Sequence, residues 1–131
     1  MDTSALVTRM TRRNHGGALD ASPQQRVTEP LATSTPCFTE TVRTLDLMEH
    51  FPKAMEAMEA MDARITEVLL AREVRDGAAL LVGRLRVLDA VHAAGALSPR
   101  DGPTALVTYD RGMLETARAE GPSAHAPGTA D

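Results

Sequence analysis

Two aspartates near the end of the chain lie where an acidic side chain could bind a ligand. Asp89 lies within the segment LRVLDAVHAAGAL, which is apolar or small on nearly every side and predicts a buried helix. A buried carboxylate is costly unless it gains a cation or hydrogen-bond partners. Asp110 follows a predicted strand, ALVT, and ligands of open α/β sheets gather at the carboxyl ends of strands. Both residues are therefore candidates for a ligand site.

Several other kinds of active site are not supported by the sequence. The chain has no G-x-S-x-G motif and no glycine-rich phosphate loop. The spacing of Cys37 and His50 does not suggest a catalytic pair, and one cysteine with four scattered histidines gives no zinc pattern. The single cysteine excludes an internal disulfide and is typical of a protein from a reducing cytosol.

The elements that must position the two aspartates are a helix over residues 85–97, a strand over 105–108 and a helix over 113–120. Further strands are predicted at 31–34 and 64–70, although the second is short enough to be helical instead. Three more helices are predicted: residues 36–50, 52–64 and 71–82. This alternation of strands and helices predicts an α/β fold.

The predicted helix 36–50 carries an acid outside its core-facing stripe. That stripe consists of Phe38, Val42, Leu45 and Met48. Glu40 lies off the stripe near the helix start, where the simplest role for a carboxylate is to interact with the helix dipole. In the next helix the methionines recur every three residues: Met55, Met58 and Met61. Such residues are most often core, and a flexible surface for a protein partner is the alternative.

At the start of the chain, Asp2 and Ser4 precede a predicted first helix. Their simplest role is to cap its N-terminus. The arginines Arg9, Arg12 and Arg13 follow, and they form either a solvated face or a contact for RNA backbone.

The composition predicts a globular protein of one domain. The chain has 131 residues, 43% of them hydrophobic and 24% charged. Its net charge of −4 argues against indiscriminate nucleic-acid binding. Lys53 is the only lysine, and arginine, the other basic residue, can bind phosphate through two donors at once. No apolar run could cross a membrane and no leader opens the chain, so a cytoplasmic protein without membrane contact is expected.

Four short motifs, in order, resemble the acidic motifs of the PIN-domain nucleases, in particular the VapC-type toxin ribonucleases. They are DTSALV, FTETVR, R-x-LDAVH and ALVTYDR. The resemblance covers almost the whole chain and implies a single PIN-like domain, residues 1–131. The implied fold has three α/β/α layers around a mainly parallel central sheet.

The resemblance also implies a site and an activity. Four acids would bind Mg²⁺, with Mn²⁺ as the alternative: Asp2, Glu40, Asp89 and Asp110. Four residues would support them: Ser4, Arg86, His92 and Thr108. Mg²⁺ prefers oxygen ligands and can activate a bound water. The implied protein is a Mg²⁺-dependent endoribonuclease, the toxin of a type II toxin–antitoxin system. Its partners would be RNA, a cognate antitoxin protein and a second copy in a homodimer.

The chain departs from the family at its first and last strands. Only Met1 precedes Asp2, where the family has a strand, so either the chain starts late or the sheet loses its middle strand. The last segment, PSAHAPG, predicts a poor final strand or none. One alternative is therefore a degenerate, inactive PIN domain that only binds a protein. Another is a phosphoacceptor receiver domain, which needs a lysine at the end of a late strand, whereas Lys53 lies at the start of a predicted helix.

Overall fold

The computed structural model describes residues 1–12, 16–21, 30–50, 54–82, 84–98, 105–120 and 123–129. Within these ranges the chain is a mixed α/β protein with seven helices and four short strands. The elements, in chain order, are α1 (Thr3–Thr11), α2 (Gly16–Ala21), β1 (Leu31–Ser34), α3 (Thr35–Leu47), α4 (Ala54–Asp62), β2 (Ile65–Val68), α5 (Arg72–Leu80), α6 (Val87–Leu97), β3 (Leu106–Val107), α7 (Arg111–Glu120) and β4 (Ala124–His125). Arg13 and Lys53 lie outside the described residues.

The strands form two parallel pairs. β1 pairs with β2, with Leu31 opposite Ile65, and β3 pairs with β4, with Leu106 opposite Ala124. All of the described pairing is therefore parallel, as expected for an α/β fold. The last strand is present but spans only two residues, in agreement with the prediction that it would be poor.

The first two residues connect the two sheets through backbone hydrogen bonds. The amine of Met1 donates to the carbonyl of Ala32 in β1, at 2.8 Å. The amide of Asp2 donates to the carbonyl of Val107 in β3, at 3.2 Å. Asp2 is thereby held at the edge where β1 and β3 both end.

Three apolar clusters form the core of the described chain: a minor one, Ala5 of α1 with Val107 of β3, and two principal ones. The larger one joins α1, α3, α4 and β2: Leu6, Phe38, Val42, Leu45, Ala57, Met61 and Ile65. The smaller one joins β3, β4 and α7: Leu106, Met113, Ala117 and Ala124. The predicted stripe of α3 is confirmed for its first three residues, whereas the fourth, Met48, is only half-buried.

The prediction of a helix buried on all sides is wrong for α6. The helix begins at Val87, which is 80% exposed, and Leu88 is also exposed. Its buried residues include Ala94 and Gly95, which pack closely on other elements. A Cβ built on Gly95 would lie 3.6 Å from Cβ of Ser34 in β1. Small residues allow this close packing, so α6 buries a face of small residues and His92, while Val87 and Leu88 are exposed.

The methionine repeat of α4 faces the core at only one of its three positions. Met61 is fully buried, but Met55 is 62% exposed and Met58 is 39% exposed. Residues three apart drift around a helix of 3.6 residues per turn. The inward face instead consists of Ala54, Ala57 and Met61. The prediction that all three methionines are core residues is therefore wrong.

Several element boundaries differ from those predicted by one to three residues. The segment around residue 65 is a strand, which resolves the choice between strand and helix, but it ends before the exposed Leu69. Helix α7 begins at Arg111 instead of Met113. No helix in the described parts of the chain combines the length and the apolar character needed to cross a membrane.

Candidate functional site

The four predicted acids line one cleft of about 320 Å³. They come from separate segments: Asp2 before α1, Glu40 in α3, Asp89 at the start of α6, and Asp110 before α7. The cleft is completed by Thr3, Ser4, Val7, Thr44, His92 and Met113. The fold therefore brings together acids that are remote in sequence.

Asp2 is the most buried of the acids and also caps α1. Its Oδ1 accepts a hydrogen bond of 2.9 Å from the amide of Ala5, which is the predicted N-cap contact. Ser4 Oγ lies within 2.9 Å of both carboxylate oxygens, and Thr108 Oγ1 donates to Oδ2 at 2.6 Å. Three donors thus hold this carboxylate in one orientation. Its role as a cap and its place in the cleft are compatible.

Ser4 and Thr108 both link Asp2 to the segment that carries Asp110. Ser4 Oγ accepts a hydrogen bond of 2.9 Å from the amide of Tyr109. Thr108 Oγ1 accepts one of 3.0 Å from the amide of Asp110. Each hydroxyl therefore accepts from the backbone after β3 and donates to Asp2. The supporting role of both residues at a metal site stays a prediction.

Glu40 lies beyond the first turn of α3, so its interpretation as a first-turn acid is wrong. Its Oε2 accepts a hydrogen bond of 2.7 Å from Thr3 Oγ1 and lies 3.3 Å from His92 Nε2. On the other side of the ring, His92 Nδ1 lies 2.7 Å from Ser34 Oγ. His92 also lines the cleft, and its ring lies between Glu40 of α3 and Ser34 at the end of β1.

Asp89 and Asp110 lie at the starts of two helices. Asp110 is exposed, and its Oδ1 accepts a hydrogen bond of 2.8 Å from the amide of Met113, which caps α7. Asp89 is half-buried in the first turn of α6 and not fully buried as predicted. The helix begins two residues before it, so this carboxylate is at a helix end and not in mid-helix.

The pKa of Asp89 is raised by its partial burial and by the other acids of the cleft. Burial raises this pKa above its ordinary value, and the nearby carboxylates of Asp110 and Glu40 raise it further. His92 and Arg86 act in the opposite sense, by lowering the pKa. Arg86 is exposed immediately before α6, where its charge reaches the cleft. A cation bound beside Asp89 would offset the part of this shift that comes from the neighbouring carboxylates.

Two hydroxyls of the site were missed by sequence analysis. Thr3 donates to Glu40, and Ser34 contacts His92. Thr3 lies within the DTSALV motif, so its place next to Asp2 in the sequence could have indicated that it belongs to the site. Ser34 ends β1 and caps α3, and only the packing of α6 on β1 brings it to His92.

The donor set of the cleft fits Mg²⁺ by its chemistry, because carboxylate oxygens are the ligands that this ion prefers. Asp110 and Glu40 also lie close enough to Asp89 to add to the rise of its pKa, which burial causes in the first place, and a cation would offset this part. Within the described ranges, no three His, Cys, Asp or Glu side chains are grouped so that they could hold one ion. Ligation by several of these acids at once would therefore involve water or some movement of side chains.

Comparisons with protein-family models, curated proteins and solved structures found no match. The interpretation of the cleft therefore depends on its own geometry and charge.

Proposed function

We propose that this chain is a metal-dependent endoribonuclease with a PIN-like, three-layer α/β/α fold. The observation that supports this best is the cleft lined by Asp2, Glu40, Asp89 and Asp110, which are remote in sequence. The order of the four acidic motifs, which resemble those of VapC-type toxins, supports the same proposal. The substrate is RNA, and the reaction is hydrolysis of a phosphodiester bond.

The four acids would hold Mg²⁺, or Mn²⁺ as the alternative, directly or through water. When bound, the ion lowers the pKa of a bound water and offsets charge on the phosphate. Asp89 and Asp110 would contribute ligand oxygens. Glu40 would be a ligand or would accept the proton of the attacking water. Asp2 would be a ligand whose orientation Ser4 and Thr108 fix.

Two further features support contact with a substrate and with a protein partner. Arg86 lies exposed beside Asp89 and could bind a phosphate of the RNA. Leu47, Met55 and Met58 are exposed apolar residues on α3 and α4, helices that pack on each other. Exposed apolar surface of this kind is typical of interaction sites. The proposed biological role is that of a cytoplasmic type II toxin, bound by an antitoxin and assembled as a homodimer.

The decisive experiment compares RNA cleavage by the wild type, Asp89→Asn and Asp62→Asn, in Mg²⁺ and in EDTA. Asp62 is an exposed acid at the end of α4, so its variant is a matched control for the loss of one negative charge. We expect cleavage by the wild type and Asp62→Asn in Mg²⁺ only. Asp89→Asn should lose about 100-fold or more, as when one transition-state stabilising group is removed.

The second candidate function is an inactive PIN-like module that only binds a protein. The three donors that already engage the carboxylate of Asp2 favour this alternative, because they compete with a metal ion for its oxygens. Equal inactivity of wild type and Asp89→Asn, together with no change of the wild-type Tm in Mg²⁺, would overturn the enzyme proposal. It would leave the binding module as the remaining function.

A further inference from the structure

His92 is a buried side chain with a polar contact at each ring nitrogen. It is 6% exposed. Nδ1 lies 2.7 Å from Ser34 Oγ, and Nε2 lies 3.3 Å from Glu40 Oε2. The ring therefore connects the end of β1 to an acid of the cleft, through residues 58 and 52 positions away in sequence.

The contacts of both ring nitrogens indicate which one carries the hydrogen. Nε2 faces Oε2 of Glu40, and a carboxylate oxygen accepts hydrogen bonds. The ring hydrogen is therefore assigned to Nε2. A neutral imidazole has one donor and one acceptor, so Nδ1 accepts the hydroxyl hydrogen of Ser34. Ser34 Oγ is free to donate it, because its oxygen accepts a hydrogen bond of 3.4 Å from the amide of Cys37, as the cap of α3.

The hydrogen bonds to Glu40 leave one of its two oxygens for the cleft. Thr3 Oγ1 from α1 and His92 Nε2 from α6 both contact Oε2. The carboxylate is thus held through one oxygen, while the side chain lines the cleft. Residues that hydrogen-bond to a ligand group commonly set its orientation in metal and catalytic sites.

We propose that His92 is a positioning residue for Glu40. Ser34 holds the ring as the neutral Nε2–H tautomer, and the ring donates to Oε2 so that Oε1 is presented to the cation or the attacking water. The effect on cleavage rests on the proposed nuclease function. The arrangement of Ser34, His92 and Glu40 does not, and it can be measured in a protein without activity.

The first measurement is the tautomer of His92, from the ¹⁵N chemical shifts of its ring in the full chain without metal. We expect the hydrogen on Nε2 in the wild type. In Ser34→Ala the shifts should move toward a mixture of tautomers, because Nδ1 loses its donor. A wild-type ring with its hydrogen on Nδ1, or a Ser34→Ala ring with unchanged shifts, would overturn the proposed arrangement.

The second measurement is Mg²⁺-dependent cleavage by His92→Gln and His92→Asn. The glutamine amide can reach the position of Nε2 and donate to Glu40, whereas the shorter asparagine amide reaches only the position of Nδ1. We expect kcat of the glutamine variant within about tenfold of the wild type, and of the asparagine variant about 100-fold lower, the loss typical of a hydrogen bond to a charged group. KM should change little in both variants.

Urea unfolding of both variants separates positioning from a purely structural role. If His92 only filled space, the two variants would lose activity equally, and the loss of activity would be proportional to the loss of stability. That result would overturn the proposal. If the wild type failed to cleave RNA, the proposed nuclease function would be overturned, and with it the proposed effect of His92 on cleavage. The ring shifts would then still decide whether Ser34 fixes the tautomer.

Discussion

Thr108 Oγ1 donates a hydrogen bond of 2.6 Å to Asp2 Oδ2, across 106 positions of sequence. Both residues are buried. The same hydroxyl accepts from the amide of Asp110, so one threonine fixes the relation between two acids of the cleft. The start of the chain and the end of β3 are thereby held together at one edge of the fold.

Replacing Thr108 by valine should destabilise the protein, because valine has the same shape but cannot bond to Asp2 or Asp110. We expect a loss of about 1–3 kcal/mol in the free energy of unfolding, the usual cost of leaving a buried polar group unsatisfied. Urea denaturation measures this loss. The control is Thr39→Val, because Thr39 is an exposed threonine that bonds only within α3. If the two variants were equally stable, the hydrogen bond between Thr108 and Asp2 would contribute nothing measurable to the free energy of unfolding.

Replacing Asp110 by asparagine should separate helix capping from the proposed metal binding. Asparagine caps a helix about as well as aspartate, so its side-chain oxygen can still accept from Met113. We expect the free energy of unfolding to change by less than about 0.5 kcal/mol. Mg²⁺-dependent cleavage should nevertheless fall about 100-fold or more, because a charged ligand is lost. If a stable Asp110→Asn variant cleaved RNA as fast as the wild type, Asp110 would not be a ligand of the catalytic metal ion.

The raised pKa of Asp89 predicts a dependence of stability on pH in the absence of metal. The folded state holds this proton more tightly than the unfolded state, whose carboxyl has the ordinary pKa of 3.8. At pH values below 3.8 both states are protonated, and Asp89 contributes no penalty. As the pH rises from there through the folded pKa, the contribution of Asp89 to stability falls, and it stays low at neutral pH.

Asp89→Asn should therefore be more stable than the wild type at about pH 7 in EDTA, and the difference should vanish near about pH 3. Added Mg²⁺ should raise the wild-type Tm and reduce the difference. At a concentration of tenfold Kd, the stabilisation of the wild type would be about 1.4 kcal/mol. Thermal unfolding with and without Mg²⁺ measures both effects. A variant less stable than the wild type at neutral pH would contradict the repulsion described here.

The buried Cys37 thiol should resist labelling in the native protein. Burial raises its pKa to about 11, and hydrogen bonds with Thr3 and Thr33 offset this shift only in part. The thiolate is the reactive form, so little of it is present near neutral pH. We expect slow reaction with a disulfide reagent under native conditions and fast reaction in urea. Fast stoichiometric labelling of the native chain would show that the thiol is accessible.

Two leucines of α3 provide a test of the core. Leu45 is fully buried, whereas Leu47 is 75% exposed. Leu45→Ala should cost about 2–5 kcal/mol in the free energy of unfolding, because it leaves a cavity. Leu47→Ala should change the same quantity by less than about 0.5 kcal/mol. Similar losses in both variants would contradict the orientation of α3.

Hydrophobic periodicity predicted some elements well and others poorly. The stripe of Phe38, Val42 and Leu45 gave the orientation of α3, because these residues recur at helical spacing and face one large core cluster. The same approach was wrong for Met55 and Val87. Their exposure depends on which face of the helix packs on a neighbouring element. In α4 and α6 that face carries small residues such as Ala57 and Gly95.

The sequence by itself determined the acid-bearing motifs, the parallel α/β character and the capping role of Asp2, because these depend on residue type and local spacing. Only the tertiary structure decided that Asp2, Glu40, Asp89 and Asp110 line one cleft. Likewise, only the tertiary structure brought Ser34 into contact with His92, and Thr108 into contact with Asp2. The physical reason is that hydrogen bonds between side chains far apart in sequence require chain segments to be packed at fixed distances, and local periodicity carries no information about those distances.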